Sequence, residues 1–384
     1  MSEAERADEQ GAGERWHDVG AADGLATRAI QTVLAGRTPI ALIHRDGRFS
    51  AISGVCNHAG GPLGDGSLEG EYVVCPWHSW KFHCETGRGE PGYESDQVPA
   101  HAVRVENGRV WVNAAPRTPR RRAAHPPHPL ATILRRGEAG GPPLDAPLRV
   151  LGISTTGMDV AHPRFSTSDE LLDAAIARAG ELGAETRTIR LRELRFRHCE
   201  GYYSKSARAC TWPCSITQMD PSDQLERVYE GVVNWADVFL VATPIRWGAA
   251  SSLYYKMVER MNCIQNQETI ADRILLRNKV VGLIVTGGQD NIQAVVGQMM
   301  TFFGELGCQF PPFPFIAHSR GWSAEDMERN VESVRKSRDL HDGACALVER
   351  GLDTCRALLG IRIGAEQPAR GGRKAHRLDV RAET

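Results

Sequence analysis

Two short motifs constrain this chain more than any other feature: Cys56-Asn57-His58, and after residues 59–74, Cys75-Pro76-Trp77-His78. Each motif offers one thiolate and one imidazole. In a 2Fe-2S cluster with mixed ligands, one iron takes two thiolates and the other two imidazoles, so two such loops supply a full ligand set. Tetrahedral zinc is the competing reading, because two Cys and two His also satisfy Zn²⁺. Zinc fingers, however, usually keep both Cys in one pair and both His in the other. The ligand order therefore favours two irons.

The context is β-rich. From Trp16 to about Ala115 the chain runs in short alternating segments such as TPIALIHRDGRFSAISG and AVRVENGRVWVN, where RDG and ENG stand as hairpin turns. An all-β domain over 16–115 is expected. With CPWHSWKF followed by TGRG, this segment resembles the bacterial Rieske ferredoxins and the Rieske domains of ring-hydroxylating oxygenases. The resemblance implies a Rieske-type 2Fe-2S cluster with Cys56, His58, Cys75 and His78 as its metal ligands. High-potential respiratory members carry an extra Cys in each loop and a Ser that bonds a cluster sulfur. Here those positions read as Gly60 or Gly61, Trp77 and Trp80, so a potential at the lower, ferredoxin-like end is expected. His83 and Cys84 lack ligand spacing and read as strand residues. The oxygenase pattern of two His and a carboxylate for a mononuclear iron is absent, and His125 and His128 fall in a linker-like stretch.

At 384 residues the chain is long enough for two domains. Residues 116–147 are rich in Pro, Arg and Gly and read as a solvated linker, able to span roughly 100 Å if extended. Residues 1–15 and 364–384 read as disordered ends. With 46 basic and 47 acidic residues, net charge −1, there is no electrostatic case for nucleic acid or a membrane surface. No signal segment or long apolar run appears, so a soluble cytoplasmic protein of bacterial composition is expected, its 10 cysteines thiols or ligands rather than disulfides.

Over 148–363 the pattern changes. Apolar strands (LRVLGIS, ETRTIRL, DVFLVAT, KVVGLIVT, FPFIAH) alternate with helical segments, which predicts an α/β doubly wound parallel sheet. In such sheets ligands sit beyond the carboxyl ends of the strands at a switch point, where the loops must be polar and open. Three loops qualify: Ser154-Thr155-Thr156 with Arg164-Phe165-Ser166-Thr167-Ser168, then Thr243 to Gly248, then Thr286 to Asp290. Each alone reads equally as a cap or turn. In this order, with STSDELL and WADVFLVATPIRWGAASSLYYKMVERM, they resemble the flavodoxin-like NAD(P)H-dependent FMN reductases, including the iron-sulfur flavoproteins. The resemblance implies FMN, with Ser154, Ser166, Thr167 and Ser168 at its phosphate. It places Pro244, Ile245, Arg246, Trp247, Gly248, Thr286, Gly287 and Gly288 along the ring, and Arg246 and Trp247 toward substrate. It also implies NADH or NADPH as donor and a homodimer or homotetramer. The phosphate loop carries an insertion, MDVAHP, around Asp159. Cys199, Cys210 and Cys214 fall short of the four closely spaced thiolates of a second cluster and read as buried or loop thiols. Cys263, Cys308, Cys345 and Cys355 fall on helical patterns and read as core.

A flavin accepts a hydride and releases single electrons, whereas a Rieske centre carries one at a time. The expected function is thus an NAD(P)H-dependent flavin oxidoreductase exchanging electrons with its cluster and an external acceptor such as a partner oxygenase. The reverse flow is the alternative, in which electrons entering at the cluster let the flavin reduce a quinone or nitro compound. A non-enzymatic redox sensor or electron carrier is the third.

Overall fold

The computed structural model describes residues 15–123, 128–133, 143–206, 209–287, 291–319 and 324–362. The described residues divide between two compact units, one drawn from 1–131, 199–223 and 269–271 and the other from 132–198, 224–268 and 272–384.

The first unit is antiparallel. Strands β1 (Trp16–Ala21), β2 (Ile30–Ala35), β3 (Thr38–Arg45), β4 (Arg48–Ser53), β8 (Ala100–Glu106) and β9 (Arg109–Pro116) form one sheet in the order β1-β9-β8-β4-β3-β2. Strands β5 (Ser67–Glu69), β6 (Tyr72–Val74) and β7 (Lys81–His83) form a smaller one. The hairpins are those the dipeptides predict: Asp46-Gly47 and Asn107-Gly108 have φ of 50°, 73° and 52°, 73°, two-residue turns with both φ positive. Period-two alternation makes β3 buried on both faces. Ile40 and Leu42 join Ala51, Val110 and Val112 on one side, while Ala41 and Ile43 join Ile52, Cys56, Leu63, Val73, Cys75 and Phe82 on the other.

The second unit is a parallel sheet of β10 (Arg149–Ser154), β11 (Glu185–Arg190), β12 (Val238–Pro244), β13 (Val280–Gly287) and β14 (Phe315–Ser319), ordered β11-β10-β12-β13-β14. This is the doubly wound order expected, with its reversal at β10. Every residue of β12 and β13 is buried, which accounts for their unbroken apolar runs. Helices α1 (Thr167–Glu181) and α3 (Arg338–Arg362) pack on one face, through Leu171, Leu172 and Ala175 and through Ala344, Leu347, Val348 and Leu352. Helix α2 (Ile292–Glu305) covers the other, where Val295, Met299 and Phe303 form an i, i+4, i+8 stripe and Phe303 meets Phe239 at 5.5 Å between ring centroids.

Three expectations differ from the structure. Part of the expected 116–147 linker is folded: Arg117 N donates to Ala100 O at 2.7 Å, and Arg121 pairs with Gln97 through two backbone bonds of 2.8 and 2.9 Å. A Pro/Arg-rich composition does not distinguish a solvated tether from a strap whose guanidinium donors satisfy loop carbonyls. The stretch 148–363 is also not one continuous unit, because residues 199–223 cluster with the first. Cys308 is buried but lies past the end of α2 rather than on a helix, and Cys345 is only half-buried. The expected disordered ends lie, but for Arg15 in the first, outside the described residues.

Leu347 is fully buried between α3 and the sheet, with its Cδ1 3.2 Å from where a Cβ on Gly282 would stand. Leu347→Ala is expected to destabilise the second unit by about 2–5 kcal/mol, read as a lower denaturation midpoint in a urea titration.

Candidate functional site

The two ligand motifs occupy turns of the same construction. Cys56 N donates to Gly61 O at 2.9 Å and Cys75 N donates to Trp80 O at 2.8 Å, so each turn closes on the amide of its own cysteine. The second is tightened by Ser79, whose φ is 57° and whose N–H reaches Cys75 O at 3.0 Å. Both cysteines are buried. Hydrogen bonding to Cys75, followed by burial, pushes the Cys56 thiol far up. The imidazoles face each other, Nδ1 to Nδ1, at 2.9 Å. Among the described residues no three His, Cys, Asp or Glu side chains surround a single point for one metal ion. The four instead come as a thiol pair and an imidazole pair, the division a two-iron cluster requires and a single tetrahedral ion does not. A Cβ on Gly61 would stand 2.7 Å from Cys75 Sγ, whereas one on Gly60 would meet nothing within 4 Å, so of the two positions only Gly60 has room for the extra cysteine of high-potential Rieske proteins.

The imidazoles differ. His58 is exposed and stacks on Trp80 at 4.9 Å and 6°. His78 is buried, and burial lowers its pKa below the ordinary histidine value. Its Nε2 lies 2.8 Å from Ala209 O and 3.0 Å from Ser215 Oγ, both in the segment 199–223 of the same unit. A carbonyl only accepts, so Nε2 carries the proton and Nδ1 presents its lone pair. The first turn is held from the opposite direction. Arg120 donates to Val55 O at 3.0 Å, Asn57 Oδ1 at 2.6 Å and Ser53 Oγ at 2.6 Å, and Asn57 Nδ2 donates to Arg121 O at 2.6 Å. Sequence reasoning missed both supports, having placed Arg120 in the linker and Ser215 among unassigned loop residues. His83 lies in β7 and Cys84 follows it, buried.

In the second unit the predicted hydroxyls converge at the carboxyl edge of the sheet. Ser166 caps α1, accepting from Asp169 N at 3.2 Å. Thr156, Ser166 and Ser168 form a triangle with Oγ separations of 2.9, 3.1 and 3.2 Å. Hydroxyls beside a helix N-terminus with its free N–H groups are suited to a phosphate. Thr156 is the added member, readable from its place after β10. The hydroxyl of Ser154 donates to Asp169 Oδ1 in the first turn of α1. Asp169 is paired in turn with Arg192 at 2.7 Å, both side chains nearly buried.

The remaining loops are tied to the same place. Thr167 Oγ1 and Thr286 Oγ1 are 2.7 Å apart, and Ile245 N donates to Thr286 O at 2.7 Å. A Cβ on Gly287 would meet Ile245 Cβ at 2.8 Å, so only glycine fits there. Pro244 ends β12, and residues 246–249 form a tight turn closed by reciprocal Arg246–Ala249 bonds of 2.8 and 3.0 Å. Its central residues, Trp247 and Gly248, have φ of 51° and 72°. This left-handed conformation costs a tryptophan about 1–2 kcal/mol, and Trp247 is 94% exposed. Asn291 steadies the turn, donating to Gly248 O at 2.6 Å. Gly288 lies outside the described residues.

Residues 15–102 match the Rieske 2Fe-2S domain family, and residues 160–323 match the NADPH-dependent FMN reductase family. The ferredoxin component of an alkene monooxygenase system from Xanthobacter autotrophicus is 33% identical over 101 residues, 26% of this chain and 81% of that protein. An 8-demethyl-8-aminoriboflavin-5'-phosphate synthase from Streptomyces davaonensis is 26% identical over 157 residues, 39% of this chain; the match spans 56% of that protein's length. A crystal structure of RosB with a bound 8-demethyl-8-formylriboflavin-5'-phosphate intermediate gives a TM-score of 0.45 at 21% identity, over 56% of this chain and 81% of that one. The ligand turns fall inside the first matched span, and Ser166 to Ser168, the 243–248 loop and Thr286-Gly287 inside the second. The chain therefore belongs to the Rieske 2Fe-2S family through its N-terminal unit, and residues 160–323 match the NADPH-dependent FMN reductase family, so that the two matched domains carry a 2Fe-2S cluster and FMN as cofactors.

Proposed function

We propose that this chain is an NAD(P)H-dependent flavin oxidoreductase that takes hydride from NADH or NADPH and delivers single electrons to an external acceptor, such as a partner oxygenase. The observation that carries this reading is the presence in one chain of a paired thiol and imidazole site and a hydroxyl-lined switch-point site. When bound, FMN supplies acceptance of two electrons as hydride and their release singly, and the cluster supplies one-electron transfer. Cys56, His58, Cys75 and His78 are the cluster ligands in this proposal. Thr156, Ser166 and Ser168, with the first N–H groups of α1, bind the FMN phosphate, and Thr167 orients Thr286 beside them. Pro244, Ile245, Gly248 and Gly287 border the ring with backbone, and the exposed Arg246 and Trp247 meet nicotinamide or substrate. The ferredoxin role of the Xanthobacter relative supports an oxygenase as acceptor. Among the described residues no helix is long and apolar enough to cross a membrane.

Anaerobic titration with NADPH and NADH, followed by absorbance and EPR, tests the direction of flow. Flavin absorbance is expected to bleach first, with the reduced-cluster EPR signal following. Cys75→Ser is expected to abolish that signal while bleaching persists. If neither nucleotide bleaches the flavin, hydride entry is lost and the reverse flow replaces it.

The phosphate assignment has its own test. Ser168→Ala is expected to weaken FMN binding about tenfold or more, the cost of one hydrogen bond to a charged group. Riboflavin, which lacks the phosphate, is expected to bind variant and parent equally in a fluorescence-quenching titration.

A further inference from the structure

The two imidazoles of the cluster site are treated unequally by the fold. His58 points into solvent against Trp80, whereas His78 is covered by a segment that the sequence places between β11 and β12 of the reductase half. The segment is built around that contact. Ala209 is buried in the same apolar cluster as Cys56, Cys75 and Trp77, with Tyr202 packed against it. Ser215 Oγ donates to Ala209 O at 2.7 Å, receives Thr211 N–H at 3.3 Å and lies 3.0 Å from Thr211 Oγ1. Gln218 Nε2 fastens the turn from outside, reaching Thr211 Oγ1 at 2.8 Å and Pro213 O at 2.6 Å. Ser215 and Ile216 are almost wholly buried.

We propose that Ser215 is a positioning residue of the Rieske cluster: with the Ala209 carbonyl it anchors the Nε2–H of His78 and thereby sets the cluster's reduction potential. The inference rests on the ligand assignment proposed above and does not depend on the electron donor. The proton of Nε2 is shared between Ala209 O at 2.8 Å and Ser215 Oγ at 3.0 Å. Acceptors on the far nitrogen of a ligating imidazole fix its tautomer and ring orientation and make the near nitrogen a stronger donor to the metal. A stronger donor favours the ferric state, so two acceptors on His78 lower the potential. Loss of Ser215 leaves Ala209 as sole acceptor and frees the ring to turn. A segment that merely filled space over His78 would affect stability without moving the potential.

The test is a mediator-coupled redox titration of the full chain, reduced chemically with dithionite and read by EPR. Ser215→Ala is expected to raise the midpoint potential, alter the g-values of the reduced cluster and lower iron retention against a chelator tenfold or more. Ser215→Thr, which keeps the hydroxyl, is expected to restore the parental potential and g-values. Thr211→Val, which removes a partner of Ser215 without touching His78, is expected to shift the potential the same way by less. A Ser215→Ala chain with full iron content and parental potential overturns the proposal, as does a Thr variant shifted as far as the Ala variant. If Ser215→Ala retains no iron, Thr211→Val decides, and a parental potential there overturns it. A parent chain with no Rieske EPR signal after dithionite would overturn the ligand assignment itself, whereas failure to react with NADPH would touch only the direction of flow.

Discussion

The cluster site depends on two backbone hydrogen bonds, from Cys56 N to Gly61 O and from Cys75 N to Trp80 O. Each closes a turn that carries a cysteine and, two or three residues later, a histidine. Each bond is worth only about 1 kcal/mol net, but a buried amide left unpaired costs more, so the turns have few alternatives. The consequences spread outward. The close approach of the turns requires glycine at position 61, against Cys75 Sγ. It also sets the two buried thiols against each other and the two Nδ1 atoms at 2.9 Å. Such groups would not be gathered without a ligand to share, because paired buried thiols and facing imidazole lone pairs gain little from one another.

At the second site the same logic is electrostatic. Asp169 lies in the first turn of α1, where a carboxylate suits the helix dipole but repels any phosphate placed at the same terminus. Its pairing with Arg192 at 2.7 Å and its bond from Ser154 neutralise that repulsion. Ser154 thus holds the carboxylate in place. The hydroxyls that meet one another beside the helix amides are Thr156, Ser166 and Ser168.

What the sequence revealed and what it concealed divide along sequence distance. Cys and His spacing, the Asp46-Gly47 and Asn107-Gly108 turns, the fully apolar β12 and β13 and the Ser166 cap are local patterns with a fixed physical meaning. The supports of the ligand turns are not local. Arg120 reaches back 63 residues to Asn57, and His78 reaches forward 137 to Ser215. No period or spacing marks such contacts. An arginine among prolines reads as solvated, and a serine after Cys214 reads as one more loop residue. The three cysteines around Ser215 drew attention to metal ligation, whereas the segment's contribution is a hydroxyl and a carbonyl turned toward another motif's histidine.

That contribution bears on why the two families share a chain. A ferredoxin that finds its reductase by diffusion relies on charge complementarity to speed encounter. Here both sequences stand in one chain, and covalent connection supplies an effective concentration on the order of millimolar instead. Connection alone, however, leaves the potential of the cluster to its own ligand loops. By lending Ala209 and Ser215 to His78, the reductase sequence places one determinant of that potential under its own control. The other imidazole, His58, stays exposed against Trp80 and is left for whatever receives the electron. Under the proposed function, one ligand is therefore tuned by a segment of the sequence that supplies electrons, and the other is presented to the acceptor.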